Sequence, residues 1–244
     1  MRLRLNKAIA TCGFCSRRAA DKFIAEGLVK VNARTVTDFS LSVDLDKDKI
    51  SVAGKPMHVC LNQYVLLHKP IGIVSTCKDE HRRKNIIDLL PPNLRHLKPA
   101  GRLDYDSSGL MLLTNDGALI QALTHPKANI EKTYRLTVSG SCTPAALSEM
   151  AAGINLKEGK TTKAKVKLLE GNRDRSIIEF TIIEGRNRQL RRMCALMGLP
   201  VQELIRTKID KLQLSNLQPG KWRYITKSEI IALAKHLNAK TKRK

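Results

Sequence analysis

Aromatic side chains are scarce in this chain of 244 residues: one Trp, four Tyr and four Phe, 4% of the total. That is too few for a binding surface built mainly from stacked bases. Acid is short as well, with 22 Asp and Glu against 44 Lys and Arg, a formal charge of +22 and a pI near 10.0. No apolar run approaches the roughly 18–20 residues of a membrane span. The stretch Met1–Lys7 lacks the apolar core of a signal peptide. No membrane association is therefore expected, and the expected location is the cytoplasm. Neither a Walker loop nor a dinucleotide fingerprint occurs. Of the six cysteines only Cys12 and Cys15 form a C-x-x-C, and no second ligand pair stands at zinc spacing. No metal and no cofactor are expected, and the pair reads as buried structural thiols rather than a disulfide. No internal repeat is visible.

What the chain does have is positive charge on a foldable core. A field of this sign draws polyanions and releases their counterions, so nucleic acid is the first partner to consider. A hydrophobic fraction of 42% excludes global disorder. Residues 1–60 read as a small module. Leu5, Ala8 and Ile9 recur at helical spacing, and Ser16 caps a second helix that Gly27 ends. Short strands follow near Val29–Val31 and Ile50–Val52, and a linker over Ala53–Gln63. Residues 61–238 form a larger unit, and 239–244 a basic disordered tail. Strands are expected at Tyr64–Leu67, Met111–Thr114, Lys132–Val138, Lys163–Leu169 and Ser176–Ile183. Helices are expected from Asn115 or Asp116, from Thr143-Pro144, over Arg188–Met197 and from Thr226. Strands interleaved with helices without regular alternation indicate an α+β fold on a mostly antiparallel mixed sheet flanked by helices.

Three stretches could carry chemistry. The first is Gly101-Arg102-Leu103-Asp104-Tyr105-Asp106-Ser107-Ser108-Gly109-Leu110. A carboxylate repels RNA phosphates, so Asp104 adds nothing to the affinity of a basic binder. By composition alone, an Asp that caps a turn or pairs with a surface arginine is the commoner use. The second is Glu184-Gly185-Arg186-Asn187-Arg188-Gln189-Leu190-Arg191-Arg192-Met193. A helix from Arg188 gathers Arg188, Arg191 and Arg192 on one face, which could simply touch phosphate. The third is Lys132-Thr133-Tyr134, where an ordinary core tyrosine is the plain reading.

Together these stretches resemble the motifs of the RsuA/RluA class of pseudouridine synthases, in the family's order. Lys69-Pro70-Ile71-Gly72-Ile73-Val74-Ser75 resembles that family's K-P-x-G-x-x-[ST] element. The pattern R-L-N-K … C-S-R-R-A-A-D-K-F-I … G-x-V-x-V-N over residues 2–55 resembles an S4 domain, a small RNA-binding fold. The S4-like start and R-N-R-Q-L-R-R-M-C point to the RsuA/RluB/RluE/RluF branch, and several stretches to its RluF subgroup, although this chain lacks the long basic tail of some members. The resemblance implies isomerisation of a uridine in ribosomal RNA, 23S first, with 16S rRNA, tRNA and pre-ribosomal particles as further substrates to consider. It implies a cofactor-free monomer. Asp104 would be the catalytic carboxylate, Arg191 its ion-pair partner, and Tyr134 the ring packed on the target base. Arg102 would hold distorted RNA, Arg188 would contact RNA, and Ile209 would help wall the pocket. Arg17, Arg18 and Lys22 would meet structured RNA from the S4-like helices. A non-catalytic ribosome-assembly binder would tolerate Asp104→Asn. A glycosidase or nuclease using Asp104 and Asp106 would release base or cut the chain. A membrane-surface protein would need a basic amphipathic helix outside the core.

Overall fold

The computed structural model describes residues 2–58, 61–77, 79 and 81–233. The basic tail expected at 239–244 lies outside the described residues, as does Cys60. The chain forms two units, residues 1–63 with 115–117 and residues 64–114 with 118–244.

In the smaller unit, α1 (Leu5–Thr11) and α2 (Arg17–Ala25) pack on a short antiparallel sheet. The Ser16 hydroxyl accepts the Ala19 N–H at 3.2 Å, so one orphan donor of α2 is satisfied. Gly27 follows the helix at φ +67°, a conformation costly for any other common residue. The sheet runs Arg34–Thr35, β1 (Val29–Val31), β2 (Ile50–Val52), Lys55–Pro56. The stretch expected as a linker therefore contributes an edge strand. Leu5, Ala8, Ile9, Ala20, Ile24, Val29 and Val52 are fully buried between the layers. Cys12 is buried and Cys15 half-buried. Arg17, Arg18 and Lys22 are exposed on α2, whose Ala20 and Ile24 are buried.

The larger unit is built on one mixed sheet. Its main strands are β3 (Tyr64–Lys69), β4 (Ser108–Thr114), β5 (Lys132–Ser139), β6 (Lys165–Gly171), β7 (Arg175–Ile182), β8 (Val201–Ile209) and β9 (Trp222–Tyr224). Their order is β6-β7-β5-β8-β4-β3-β9. Only β8 and β4 pair in parallel along this path; the other neighbours are antiparallel. Helices α3 (Gly117–Thr124), α4 (Pro144–Ala152) and α5 (Gln189–Leu196) flank it. Thr143 caps α4, with Pro144 at its first turn and Gly153 closing it at φ +93°. Thr226 and Glu229 exchange main-chain and side-chain hydrogen bonds in a capping box, and the helix it opens runs over 227–233 to the last described residue.

Sheet alternation sends neighbouring residues to two cores. Leu67, Met111, Tyr134, Leu136, Phe180 and Leu204 enter one, while Leu66, Leu110, Leu112 and Ile209 enter the other. All of β4, and β3 after its first residue, are buried, as strands covered on both faces require. Each fully buried Leu in these strands contributes about 1.5–3 kcal/mol. The loop that precedes β4 is thus attached to the most firmly embedded strand of the unit.

Candidate active site

That loop carries Asp104, and its main chain is tied down from two sides. Three ties come from Lys69, the last residue of β3, and from the segment that follows it. The Lys69 ammonium donates to Ser107 O at 2.7 Å and Pro70 O at 2.9 Å. Gly72 N–H donates to Tyr105 O at 2.9 Å. The Ser75 hydroxyl donates to Leu103 O at 2.7 Å and accepts Leu103 N–H at 3.1 Å. On the other side the buried Arg206 of β8 donates through Nε to Leu110 O at 2.7 Å and through Nη1 to Arg102 O at 3.4 Å. Lys69 is fully buried. Burial pulls its pKa down to about 8, against the attraction of Asp104 and Asp106.

The two loop acids are treated differently. Asp106 receives both terminal nitrogens of Arg188, at 2.9 and 2.8 Å, a bidentate fork. Arg191 adds Nε at 3.3 Å from the same carboxylate and donates Nη2 to Asp106 O at 2.7 Å. These bonds, the Arg188 fork first, hold the Asp106 carboxyl below the usual carboxylate range. The ion-pair partner of Arg191 is therefore Asp106, not Asp104 as expected. Arg188 and Arg191, three residues apart at the start of α5, share a face, and the second acid of the loop is the one that meets it. The Asp104 carboxylate takes no hydrogen bond or ion pair among the described residues. Arg188 itself sits at φ +48°, an uncommon conformation for a non-glycine residue, of the kind that clusters at functional sites.

The turn into α5 has its own brace. Gln189 accepts Arg186 N–H at 3.1 Å and donates to Glu184 at 2.7 Å. Arg186 in turn donates to Gly159 O and Lys160 O at 2.6 and 2.7 Å. The conspicuous G-R-N-R-Q-L-R string is thus a scaffold that aims two arginines at the loop.

Asp104 opens into a cavity of about 310 Å³, at the small end of ligand pockets. Arg102, Arg188 and Arg191 line it together with an apolar wall of Tyr134, Ile182, Leu190 and Leu204. It suits one flat ring system with a sugar beside it. Five of the expected residues, Asp104, Tyr134, Arg191, Arg102 and Arg188, therefore meet at one place. Ile209 does not join them. It lies an odd number of residues from Leu204 along β8 and so enters the opposite core. Arg17, Arg18 and Lys22 belong to the other unit. Lys69, Ser75 and Arg206 complete the site as braces of the Asp104 loop, and Asp106, weighed in the sequence only as half of an acid pair, is the carboxylate that meets the arginines. K-P-x-G-x-x-S was the visible signal for the first two, while Leu204-Ile205-Arg206 resembles part of the family's pocket wall and gave no sign that Arg206 braces the loop.

Residues 63–196 match the RNA pseudouridylate synthase family, and residues 3–48 match the S4 domain. Ribosomal large subunit pseudouridine synthase B of Bacillus subtilis (strain 168) is 43% identical over 96% of this chain and 97% of its own length. The dual-specificity RNA pseudouridine synthase RluF of Escherichia coli (strain K12) is 38% identical over 96% of this chain and 79% of its own. A crystal structure of a pseudouridylate synthase, 34% identical, superposes over 95% of this chain and 99% of its own with a TM-score of 0.69.

Proposed function

The chain belongs to the RNA pseudouridylate synthase family, and we propose that it isomerises a uridine of large-subunit ribosomal RNA to pseudouridine, with Asp104 as the catalytic carboxylate. One observation carries the assignment of Asp104. Of two acids in one loop, Asp106 is consumed by two guanidinium groups, while Asp104, unpaired among the described residues, opens into a cavity walled by a tyrosine and aliphatic side chains. The similarity to a B. subtilis synthase named for the large subunit supports 23S rRNA as substrate.

The reaction breaks the N1–C1′ bond and makes a C5–C1′ bond. The C5 proton leaves and N1 takes one up, so atoms and electrons balance without a co-reactant. A stacked base cannot turn, so the nucleotide leaves the helix at a cost of a few kcal/mol. Packing against Tyr134 offsets part of that cost. Asp104 acts at the sugar, either as nucleophile toward C1′ or as base on the route through a glycal. Arg191 positions the loop through Asp106, and the Arg102 guanidinium holds the distorted strand. Arg17, Arg18 and Lys22 supply docking from the S4 unit. We read the protein as a cytoplasmic monomer; no helix among the described residues is long and apolar enough to cross a membrane.

Tritium release from a [5-³H]uridine 23S transcript tests this reading. Wild type releases tritium and Asp104→Asn does not, while both bind the transcript equally. Release by Asp104→Asn at the wild-type rate removes Asp104 from the chemistry. The relatives named dual-specificity favour a second substrate, and tRNA and 16S transcripts are the ones to compare.

A further inference from the structure

Asp104 borders a second cavity. Its volume is about 540 Å³, and it shares Arg102, Leu103 and Asp104 with the first. Tyr105, His81 and Arg83 line its far side. Tyr105 is 55% exposed in a chain that has few aromatic rings at all. Its backbone is fixed by Gly72, and its hydroxyl lies over the same glycine, so the ring extends along the wall of the cavity. Leaving such a ring in water gains the fold nothing. Arg83 is oriented by a fork to Asp79, with bonds of 2.8 and 3.1 Å, while half its side chain remains in solvent. The Arg102 guanidinium has no partner among the described residues.

We infer that this second cavity is the subsite for a nucleotide joined to the target uridine. Its base stacks on Tyr105 and its phosphate lies between Arg102 and Arg83. Stacking works for any base and needs no donor or acceptor pattern, which fits a cavity whose single large ring stands beside two arginines and two acids, one of the acids, Asp79, already paired with Arg83. The connection through Arg102 and Asp104 sets the two cavities side by side, as two consecutive nucleotides require once one has been turned out. Within G-R-L-D-x-D-[ST]-x-G-L, position 105 is the one left open between the acids. A ring there is suited to tuning which neighbour is accepted without touching the chemistry. The inference rests on the reading of Asp104 as the catalytic centre.

The test combines tritium release with 2-aminopurine placed in turn on each side of the modified uridine, in a 23S fragment. Base stacking of this kind predicts that Tyr105→Ala lowers kcat/KM roughly 5- to 100-fold. Tyr105→Phe keeps the ring and restores the rate. The fluorescence of 2-aminopurine at one flanking position, quenched on binding to wild type and Tyr105→Phe, stays bright with Tyr105→Ala. Wild-type activity in Tyr105→Ala, with unaltered fluorescence at both positions, overturns the subsite and leaves the catalytic reading intact. No tritium release from wild type overturns both.

Discussion

Asp104 and Asp106 differ in one respect that decides their roles: which of them the arginines of α5 reach. Resemblance to the family motif made Asp104 the candidate and paired it with Arg191. Spacing alone could not say which carboxylate Arg191 would meet, because a turn separates residues two apart in ways that an extended strand does not. The Asp106 pair is half-exposed and, as a surface ion pair, contributes about 1 kcal/mol or less to stability. Its value lies in orientation. Lys69 has the opposite character: it is fully buried, bonded to two carbonyls, and its pKa is held near 8 by burial. The unfolded chain holds that proton until its ordinary value of 10.5. Between about pH 8 and 10.5 the unfolded state thus binds more protons than the native state, and Lys69 makes stability rise with pH. Urea unfolding of wild type and Lys69→Met at pH 7.5 and pH 10 shows it. The difference in unfolding free energy moves in favour of wild type at the higher pH. A difference that stays constant removes the buried charge from the account.

At the scale of elements, the end of β3 and the segment after it act as a cradle for the loop before β4, because Lys69, Gly72 and Ser75 hold that loop's main chain. The motif was legible as a motif, but its partner, 30 residues downstream, was not. Helix boundaries were legible wherever a cap marked them: Ser16, Thr143 and Thr226 all cap as their types predict. β8 was not recognised as a strand. Its Gln202, Glu203, Arg206 and Lys208 obscure the apolar alternation, and the buried Arg206 reflects a requirement set by the loop it braces rather than by the strand. Gly109 shows how tightly that brace is fitted. It pairs with Arg206 across the parallel β4–β8 contact, at φ +115°, and a Cβ there would run into the Arg206 main chain. Backbone strain and overpacking together predict a loss of about 3–5 kcal/mol for Gly109→Ala. That lowers Tm by on the order of 10 °C and abolishes tritium release, since Arg206 and the Asp104 loop shift together. Gly117→Ala, where a Cβ meets open space, changes Tm by less than about 2 °C. Calorimetry on the pair decides the point. Equal melting temperatures would mean that the β4–β8 contact yields without cost.

For the whole molecule, the charge of +22 separates affinity from chemistry. Composition revealed the polyanionic partner at once, because net charge is additive and needs no fold. It could not reveal where the RNA lies, since 44 cations are more than one contact surface uses. The S4 unit narrows the choice: α2 leaves Arg17, Arg18 and Lys22 in solvent. If these three meet phosphates, each releases about 0.7–0.9 of a counterion on binding. Replacing all three with Ala then makes the slope of log K against log salt shallower by roughly 2–3. The residues lie outside the Asp104 cavity, so kcat at saturating transcript stays at the wild-type value while KM rises. Filter binding across a salt series, run beside tritium release, reads both quantities. A slope that does not change assigns docking to the basic residues of the larger unit. A fall in kcat at unchanged slope would make the S4 helices part of the catalytic assembly rather than an independent source of affinity.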